Sequence, residues 1–203
     1  MPSALAGRVR IIGGVHRGRV IRFPGVEGLR PTPDRVRETL FNWLGQDLTG
    51  KRCLDLFAGS GALTLEAASR SAILAVAIER NRALAESIRA NAQTIGAGAV
   101  EVHAAPARAW LSRETRAYDV VFLDPPFRDD PWPWLLPACE AKLADGGVIY
   151  AEAAREIAPT AGLAPWRHDK AGQVHYHLFR KVGSDAAFGG ERPTAGAAGR
   201  EKK

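Results

Sequence analysis

A glycine-rich turn that directly follows an apolar strand is the first stretch of this sequence whose residues could perform chemistry. Residues 52–61 read RCLDLFAGSG, so Gly59 and Gly61 come just after the strand. Glycines let the backbone approach a ligand closely and adopt conformations that side chains forbid. The first strand-to-helix turn is also the usual ligand site of a doubly wound sheet. We therefore predict a ligand site lined by Asp55, Phe57, Gly59, Ser60 and Gly61.

The residues around this turn discriminate between ligands. A P-loop is excluded because no Gly-Lys-Ser/Thr follows, and the dinucleotide fingerprint fails because Thr64 occupies its third glycine position. The carboxylate of Asp55 would repel a pyrophosphate, whereas it suits a cationic ligand. S-adenosylmethionine carries a sulfonium and an ammonium and has no phosphate. The pattern therefore predicts an S-adenosylmethionine site and disfavours an NAD-dependent oxidoreductase.

Two further strand ends complete the predicted cofactor site. Glu79 ends the second strand and is expected to accept hydrogen bonds from both ribose hydroxyls. The third strand should supply an adenine contact, but Pro106 stands where an acid or amide would serve. Backbone groups near Ala105 and Ala107, or the side chain of His103, are expected to contact adenine instead.

A second group of reactive residues ends the apolar run 118–123: Asp124, Pro125, Pro126 and Phe127. Proline fixes its own φ and therefore stiffens a turn. Taken alone, this quartet also fits a strand-ending turn with a capping acid. Beside the cofactor turn, it is predicted to be the catalytic half of the site, with Asp124 also close to the cofactor.

The elements that must position these residues alternate between strand and helix, which indicates an α/β fold with a doubly wound, mostly parallel sheet covered on both faces. The last two strands are joined by a turn at residues 170–172 and should form a closing antiparallel hairpin. Seven strands are predicted, at 52–57, 73–79, 99–104, 118–123, 147–152, about 164–169 and 174–181. Helices are predicted near 61–70, 81–95, 106–113 and 132–144.

The N-terminal segment has a different character from the rest of the chain. Residues 8–12 and 19–23 form β-type runs around glycines and predict a hairpin with arginines on one face. A helix should follow, with Thr32 as its N-cap, Pro33 at its first position and Gly45 at its end. Residues 1–37 contain eight arginines and two acids, a net charge of +6, which equals the net charge of the whole chain.

Composition and charge limit the function classes. The isoelectric point near 9.7 indicates a polyanionic partner. The two cysteines are far apart, which fits a reducing cytoplasm, and no apolar run is long enough to span a membrane. The five histidines show no metal-ligand spacing; His175 and His177 share a strand face but lack a further partner, so no metal site is predicted. We expect a basic N-terminal extension at 1–45, a catalytic domain at 46–182 and a disordered tail at 183–203.

Together these motifs resemble a known family. The residues DLFAGSG, Glu79 and DPPF are similar to those of class I S-adenosylmethionine-dependent methyltransferases. The stretches RIIGGVHRGRVI, LRPTPDRVRETLFNWL and GQVHYHLFRK resemble the RsmD family, over about residues 8–181. The resemblance implies methylation of the exocyclic N2 of a guanine in 16S ribosomal RNA, within a small-subunit particle or an assembly intermediate, by a cytoplasmic monomer. The sequence departs from the family at Pro106 and at Asn81, where an aspartate is common; Asn81 should still cap the next helix.

The resemblance also implies roles for the reactive residues. The carboxylate of Asp124 and the carbonyl of Pro125 would accept the two amine hydrogens, Pro126 would stiffen the turn, and Phe127 would stack on the base. A general-base role for Asp124 is the alternative. Because guanine N2 is hidden in a helix, the target must be single-stranded or flipped out, which requires a grip on the neighbouring phosphates. The arginines predicted to contact RNA are Arg8, Arg10, Arg17, Arg19, Arg22 and Arg30.

Two alternatives stay open at this point. The same chemistry fits a methyltransferase that acts on adenine N6 or on a protein amide nitrogen, although the chain has no room for a large target-recognition domain. A non-catalytic RNA-binding protein on the same scaffold is the other alternative, and the intact acids and glycines of the cofactor turn argue against it.

Overall fold

A seven-stranded sheet forms the centre of the molecule, as the sequence predicts. The computed structural model describes residues 7–29, 31–126 and 130–183, and the predicted tail lies almost wholly outside them. The sheet has the order β5-β4-β3-β6-β7-β9-β8, and β9 runs antiparallel to both of its neighbours while the other pairs are parallel. Its strands are β3 (Arg52–Asp55), β4 (Leu74–Glu79), β5 (Val100–Ala104), β6 (Tyr118–Leu123), β7 (Leu143–Ala153), β8 (Leu163–Ala171) and β9 (Val174–Lys181).

Helices cover both faces of the sheet, which confirms the doubly wound prediction. One apolar layer joins the sheet to the first three helices, and a second layer joins its other face to the last two. The helices are α1 (Asp34–Leu44), α2 (Ala62–Ser69), α3 (Arg82–Ile95), α4 (Ala107–Leu111) and α5 (Trp132–Glu140). Within the described part of the chain, none of them is long and apolar enough to cross a membrane.

The boundary between α5 and β7 differs from the prediction. The helix ends at Glu140 rather than near residue 144, and β7 begins at Leu143, which pairs with Tyr118. The register then shifts, and regular pairing resumes at Val148. The irregular stretch includes Gly146, whose φ of 73° is a conformation that glycine adopts without strain. The predicted strand therefore covers only the regular part of β7.

The closing hairpin is confirmed, and its register changes the prediction for the histidines. Strands β8 and β9 pair from Ala171 and Val174 outward. This register places His168 directly opposite His177 and diagonally from His175. The expectation that His175 and His177 lack a further partner is therefore wrong, because the third histidine comes from the neighbouring strand.

The N-terminal segment forms the predicted hairpin, with β1 (Gly7–Arg10) antiparallel to β2 (Val20–Phe23). Alternate side chains separate by polarity, since Val9, Ile21 and Phe23 are buried against the body of the protein. Arg8, Arg10 and Arg22 are exposed on the opposite side. The predicted arginine face is thus confirmed. The proposed boundary between residues 45 and 46 stays a prediction.

A buried ion-pair network that the sequence pattern does not predict attaches this segment to α2. Glu66 is fully buried and accepts hydrogen bonds from the backbone N–H groups of Ile12 and Gly13, at 2.9 and 2.8 Å. The same carboxylate pairs with Arg37 at 3.2 Å and with Arg70 at 2.9 Å. Arg37 also donates to the backbone oxygen of Arg10. Arg37 belongs by sequence to the basic N-terminal segment, but it is buried, and Glu66 neutralises its charge.

The start of α1 also corrects a prediction. Pro33 occupies the N-cap position, and no side chain caps the helix. The prediction of Thr32 as the cap is wrong, because its hydroxyl instead donates to Glu152 at 3.0 Å. This bond joins the segment before α1 to the end of strand β7.

Candidate functional site

Four acidic side chains lie where β3, β4, β6 and β7 end: Asp55, Glu79, Asp124 and Glu152. These strands are neighbours in a parallel arrangement, so their carboxyl ends meet at one edge of the sheet. The first three acids are predicted from sequence, and the fourth is not. Three of the four are buried or nearly so, which makes this edge an unusual concentration of carboxyl groups in a low-dielectric environment.

The glycine turn between β3 and α2 has the conformation that the sequence predicts. Gly59 and Gly61 have φ values of 51° and 79°, which side chains rarely adopt. Gly61 is the N-cap of α2, and a Cβ there would lie 2.8 Å from the side chain of Ile88. Ser60 is buried in the turn, and Phe57 is half-buried against the second apolar layer. The turn therefore presents backbone rather than side chains at the mouth of the site.

Glu79 is held by the same turn. Its carboxylate accepts the backbone N–H of Gly59 and that of Asn81, each at 2.8 Å. These two bonds fix the carboxylate and leave lone pairs on both oxygens for further donors, such as two vicinal hydroxyls. Asn81 caps α3, as predicted, because its side chain accepts the N–H groups of Ala83 and Leu84.

Asp55 is buried at the end of β3 and is held by Thr64, whose hydroxyl donates to it at 2.8 Å. Burial raises the pKa of Asp55 to about 7, although the hydrogen bonds from Thr64 and from the backbone of Phe57 oppose the rise. Thr64 is the residue that breaks the dinucleotide fingerprint. Here its hydroxyl orients the carboxyl group of Asp55.

Asp124 and Glu152 interact with each other through their charges. Burial raises the pKa of Asp124 well above its ordinary value, and the charges of Glu152 and Asp55 raise it further. Burial also raises the pKa of Glu152, while hydrogen bonds from Tyr150 and Thr32 act in the opposite direction. The Tyr150 hydroxyl donates to Glu152 at 2.9 Å.

Tyr150 and Glu152 are absent from the predicted site, whereas Thr32 is expected from the family resemblance either to border the site or to cap its helix. One signal in the sequence could have identified Glu152, because it ends an apolar strand just as Asp124 does. The partnership of Thr32 with Glu152 joins positions 120 residues apart. Such a contact leaves no trace in local sequence pattern.

The rest of the quartet after β6 is only partly described. Pro125 is buried and Pro126 is exposed, whereas Phe127 lies outside the described residues. The stiff turn therefore begins directly beside the buried acids. The stacking of Phe127 on a base stays a prediction.

The geometry at the end of β5 limits which groups can contact adenine. The backbone N–H of Ala105 donates to the backbone oxygen of Glu79, so only the carbonyl of Ala105 is available to a ligand. His103 bonds to Glu101 and packs against Trp110.

The segment between β2 and α1 passes over the cofactor turn. A Cβ placed on Gly59 would lie 3.0 Å from the side chain of Leu29, and Thr32 reaches Glu152 on the far side. Arg30 falls between these residues in sequence but lies outside the described residues. The N-terminal extension thus contributes to the edge of the sheet where the acids meet.

The arginine side chains of the N-terminal hairpin are exposed to solvent. Arg8 and Arg22 are direct cross-strand partners, and like charges so placed destabilise a sheet unless a counter-charge is supplied. Among the residues that the structure describes, no acid forms an ion pair with any of these five side chains: Arg8, Arg10, Arg17, Arg19 and Arg22.

The loop that contains Arg17 and Arg19 contacts the far end of α2. The backbone N–H of His16 donates to the hydroxyl of Ser69 at 2.9 Å. Ser69 is the last residue of α2, about 10 Å along the helix from the glycine turn. The loop that carries these two arginines therefore lies at the opposite end of α2 from the glycine turn.

Comparison with known proteins gives consistent matches over most of the chain. The family model described as Conserved hypothetical protein 95 matches residues 9–180. The ribosomal RNA small subunit methyltransferase D of Escherichia coli strain K12 is 43% identical over 181 residues, which cover 87% of this chain and 91% of that protein. The protein of the same name from Haemophilus influenzae is 45% identical over 125 residues, or 60% of this chain and 65% of that protein.

Solved structures agree with these matches. The structure of yhhF from Escherichia coli, described as a methyltransferase, has a TM-score of 0.78 and 44% identity, and the match covers 86% of this chain and 98% of that one. The structure of HI0767 from Haemophilus influenzae, described as a methylase, has a TM-score of 0.73 and 32% identity, with 87% and 99% covered.

Proposed function

The chain belongs to the family of ribosomal RNA small subunit methyltransferase D proteins and is therefore a methyltransferase, and from this premise we propose that it transfers a methyl group from S-adenosylmethionine to the exocyclic N2 of a specific guanine in 16S ribosomal RNA. The observation that supports this proposal most directly is the meeting of Asp124 and Pro125 with the glycine turn at one edge of the sheet.

The residues present fit S-adenosylmethionine. Burial raises the pKa values of Asp55 and Asp124, because no positive charge among the described residues lies close enough to stabilise their ionised forms. The sulfonium and the ammonium of this cofactor would supply that charge. The glycine turn offers close backbone approach, and the fixed carboxylate of Glu79 can accept two ribose hydroxyls. A pyrophosphate would meet Asp55 and be repelled.

When bound, this cofactor supplies an electrophilic methyl group and a positive charge beside the acids. Asp124 then favours its ionised form and becomes a strong acceptor for one amine hydrogen of the base. The carbonyl of Pro125 would accept the other hydrogen, so the two acceptors together would orient the amine nitrogen for attack. The proton leaves late, as the new bond forms, to Asp124 or to water. Phe127 stacks on the base in this proposal.

Glu152 acts on Asp124 through its charge and does not touch the base in this proposal. Thr32 and Tyr150 fix the Glu152 carboxyl, and its buried charge raises the pKa of Asp124. Because Thr32 belongs to the N-terminal extension, the geometry of the acid depends on that extension being docked. This arrangement connects substrate binding by the extension to the pKa of Asp124.

The RNA substrate is expected to span more than the target base. The exposed arginines of the hairpin would hold phosphates flanking a flipped nucleotide, and the loop that carries Arg17 and Arg19 lies at the C-terminal end of α2. Arg30 is proposed to contact RNA near the site. We further propose a small-subunit particle or an assembly intermediate as substrate, a monomeric enzyme and a cytoplasmic location.

Methyl transfer to defined particles tests this proposal. Small-subunit particles from a strain that lacks the gene are incubated with the protein and tritiated S-adenosylmethionine, and the RNA is digested to nucleosides. We expect the label in N2-methylguanosine, in a single position. Label in N6-methyladenosine or in protein would instead support the alternative substrates. Failure to bind S-adenosylmethionine in calorimetry would exclude a methyltransferase.

A further inference from the structure

Three histidines of the closing hairpin lie together on one face of the sheet. His168 of β8 is opposite His177 of β9, and His175 lies two residues before His177 on the same side of its strand. One ring nitrogen from each histidine lies within 4.8 Å of the other two. The Nε2 of His168 and the Nδ1 of His175 are 3.2 Å apart. Strand pairing therefore assembles a group of three imidazoles that the linear spacing does not reveal.

The buried member of this group, His177, is weakly hydrogen-bonded. It is 3% exposed, and its Nδ1 has no partner of ordinary hydrogen-bond geometry among the described residues, although the backbone of Ala151 lies close enough to act on the pKa of the ring. Its Nε2 accepts only a long bond, 3.3 Å, from the backbone N–H of Ile157. Buried polar atoms without good partners are rare in native proteins, and a bound ligand is one of the ways in which they are satisfied.

A cleft of about 480 Å³ opens beside these rings. It is lined by His168 and His177, by the apolar side chains of Ile157 and Phe179, and by the carboxylate of Glu156. Arg167 also borders the cleft, and its guanidinium lies over the ring of Trp166 at 5.6 Å. The cleft is large enough to admit an ion with a water ligand.

We propose that His168, His175 and His177 bind one divalent transition-metal ion, Zn²⁺ in particular, with a fourth position open to water or to Glu156. Imidazole nitrogen suits Zn²⁺, Cu²⁺ and Ni²⁺, whereas Mg²⁺ and Ca²⁺ prefer oxygen. A tetrahedral ion with bonds of 2.0–2.1 Å requires nitrogen atoms about 3.3 Å apart. One of the three nitrogen pairs already has that separation.

Rotation of the more exposed rings completes the geometry. The His168 ring is stacked on those of His177 and His175, with interplanar angles of 22° and 15°. Because stacked rings do not direct their lone pairs at one point, His168 and His175 must turn about χ2 when the ion binds. Both have room to do so, since His168 is exposed and His175 is half-buried.

The ion would lie outside the methyl-transfer site. His175 and His177 pair with Ala153 and Ala151 of β7, whereas Tyr176 between them pairs with Glu152. Side chains alternate along a strand, so the histidines and Glu152 point to opposite faces. Metal binding would therefore tie β8 to β9 and stabilise the strand next to β7, without contributing to the chemistry.

Metal titration of the protein without a histidine tag tests this proposal. Zn²⁺ affinity is measured by competition with a chromophoric chelator, and Co²⁺ substitution reports geometry through its visible absorption. We expect one equivalent of Zn²⁺, tetrahedral Co²⁺ bands and a rise in the melting temperature on adding Zn²⁺. His168→Ala and His175→Ala should each weaken Zn²⁺ binding by at least about tenfold and abolish the Co²⁺ bands.

Two other histidines provide matched controls. His16→Ala and His103→Ala remove histidines that lie outside the closing β8–β9 hairpin. These variants should leave the affinity and the Co²⁺ bands unchanged. Because His168 is exposed, its replacement should leave the apo protein as stable as the wild type, so weaker binding cannot be explained by unfolding. Wild-type affinity in His168→Ala, or loss of the bands in His16→Ala, would overturn the assignment.

Discussion

At the scale of single residues, the central feature is a set of carboxyl groups that lack compensating charge. Asp55, Asp124 and Glu152 end adjacent strands, and burial raises the pKa of each of them. Their mutual repulsion is the second cause for Asp124. A cationic ligand should bind well to such a site, because its positive charge offsets both the desolvation of the carboxylates and their mutual repulsion.

The pH dependence of cofactor binding follows from this charge deficit. The pKa of Asp55 in the free protein is raised to about 7, and a bound cation would lower it, so binding releases protons near neutral pH. Affinity for S-adenosylmethionine should therefore rise as the pH increases through about 7 and level off above it. Calorimetry in two buffers of different ionisation enthalpy measures the proton release.

Two comparisons isolate the contribution of the acids. S-adenosylhomocysteine lacks the sulfonium charge and should release fewer protons. Asp55→Asn cannot ionise and should bind S-adenosylmethionine with a flatter pH profile. Proton uptake by the wild-type protein on binding the cofactor would contradict this account.

Asp124 is expected to affect methyl transfer far more than cofactor binding. Asp124→Ala removes one acceptor for the target amine, and removal of a single aligned hydrogen-bond partner in a transition state typically costs about 10²–10³-fold in rate. The affinity for S-adenosylmethionine should change by no more than a few fold. Single-turnover methyl transfer and calorimetry measure the two effects, and equal losses in both would be incompatible with the proposed role.

At the scale of elements, the N-terminal extension is an integral part of the catalytic fold. Its hairpin is bound to α2 through Glu66, and its outer strand is bound to α3, because Asn91 exchanges hydrogen bonds with the backbone of Arg22. The segment after the hairpin then delivers Thr32 to the buried acids. A basic surface and a catalytic support are thus parts of one continuous segment.

Replacement of Glu66 measures how firmly this segment is attached. Glu66→Ala leaves Arg37 and Arg70 buried without their shared counter-ion, and breaking a buried pair in this way costs about 3–5 kcal/mol. Urea denaturation monitored by circular dichroism gives the free energy of unfolding. The exposed control Glu86→Ala should change it by less than about 0.5 kcal/mol. A similar small change in Glu66→Ala would mean that the network contributes little.

At the scale of the whole molecule, charge and chemistry are placed on different parts of the surface. The acids and the glycine turn lie at the carboxyl edge of the sheet, while the loop with Arg17 and Arg19 contacts the C-terminal end of α2. This separation suits a structured RNA whose target base enters the site while its flanking backbone lies along the hairpin. A free nucleoside would use only the first of these regions.

RNA binding should therefore depend on salt through the hairpin. Neutralising both Arg17 and Arg19 should weaken RNA binding and reduce the slope of log affinity against log salt by about two, because each arginine neutralises one phosphate. Filter binding across a salt series measures the slope, and KM should change more than kcat. Arg113→Ser, which replaces an exposed arginine just after α4, is the control and should leave the slope unchanged. An unchanged slope in the double variant would count against the arginine face.

The sequence by itself determined those features that depend on local spacing. The strand and helix order, the glycine turn, the acids Asp55, Glu79 and Asp124, and the alternating hairpin all follow from residue type and period, since backbone conformation and side-chain direction are set by near neighbours. The boundary of β7 is predicted less well, because pairing with β6, rather than local propensity, decides where that strand begins.

Only the tertiary structure decided which distant residues meet. Thr32 is expected from sequence to cap its own helix, yet it bonds to Glu152 on another strand. Arg37 belongs by sequence to the basic segment, yet it pairs with buried Glu66. His168 joins His177 through strand register. Thr32 and Arg37 contact buried partners that lie far away in the chain, and no local pattern encodes such partners. His168 contacts a histidine of the same hairpin, and the register of the two strands decides which one.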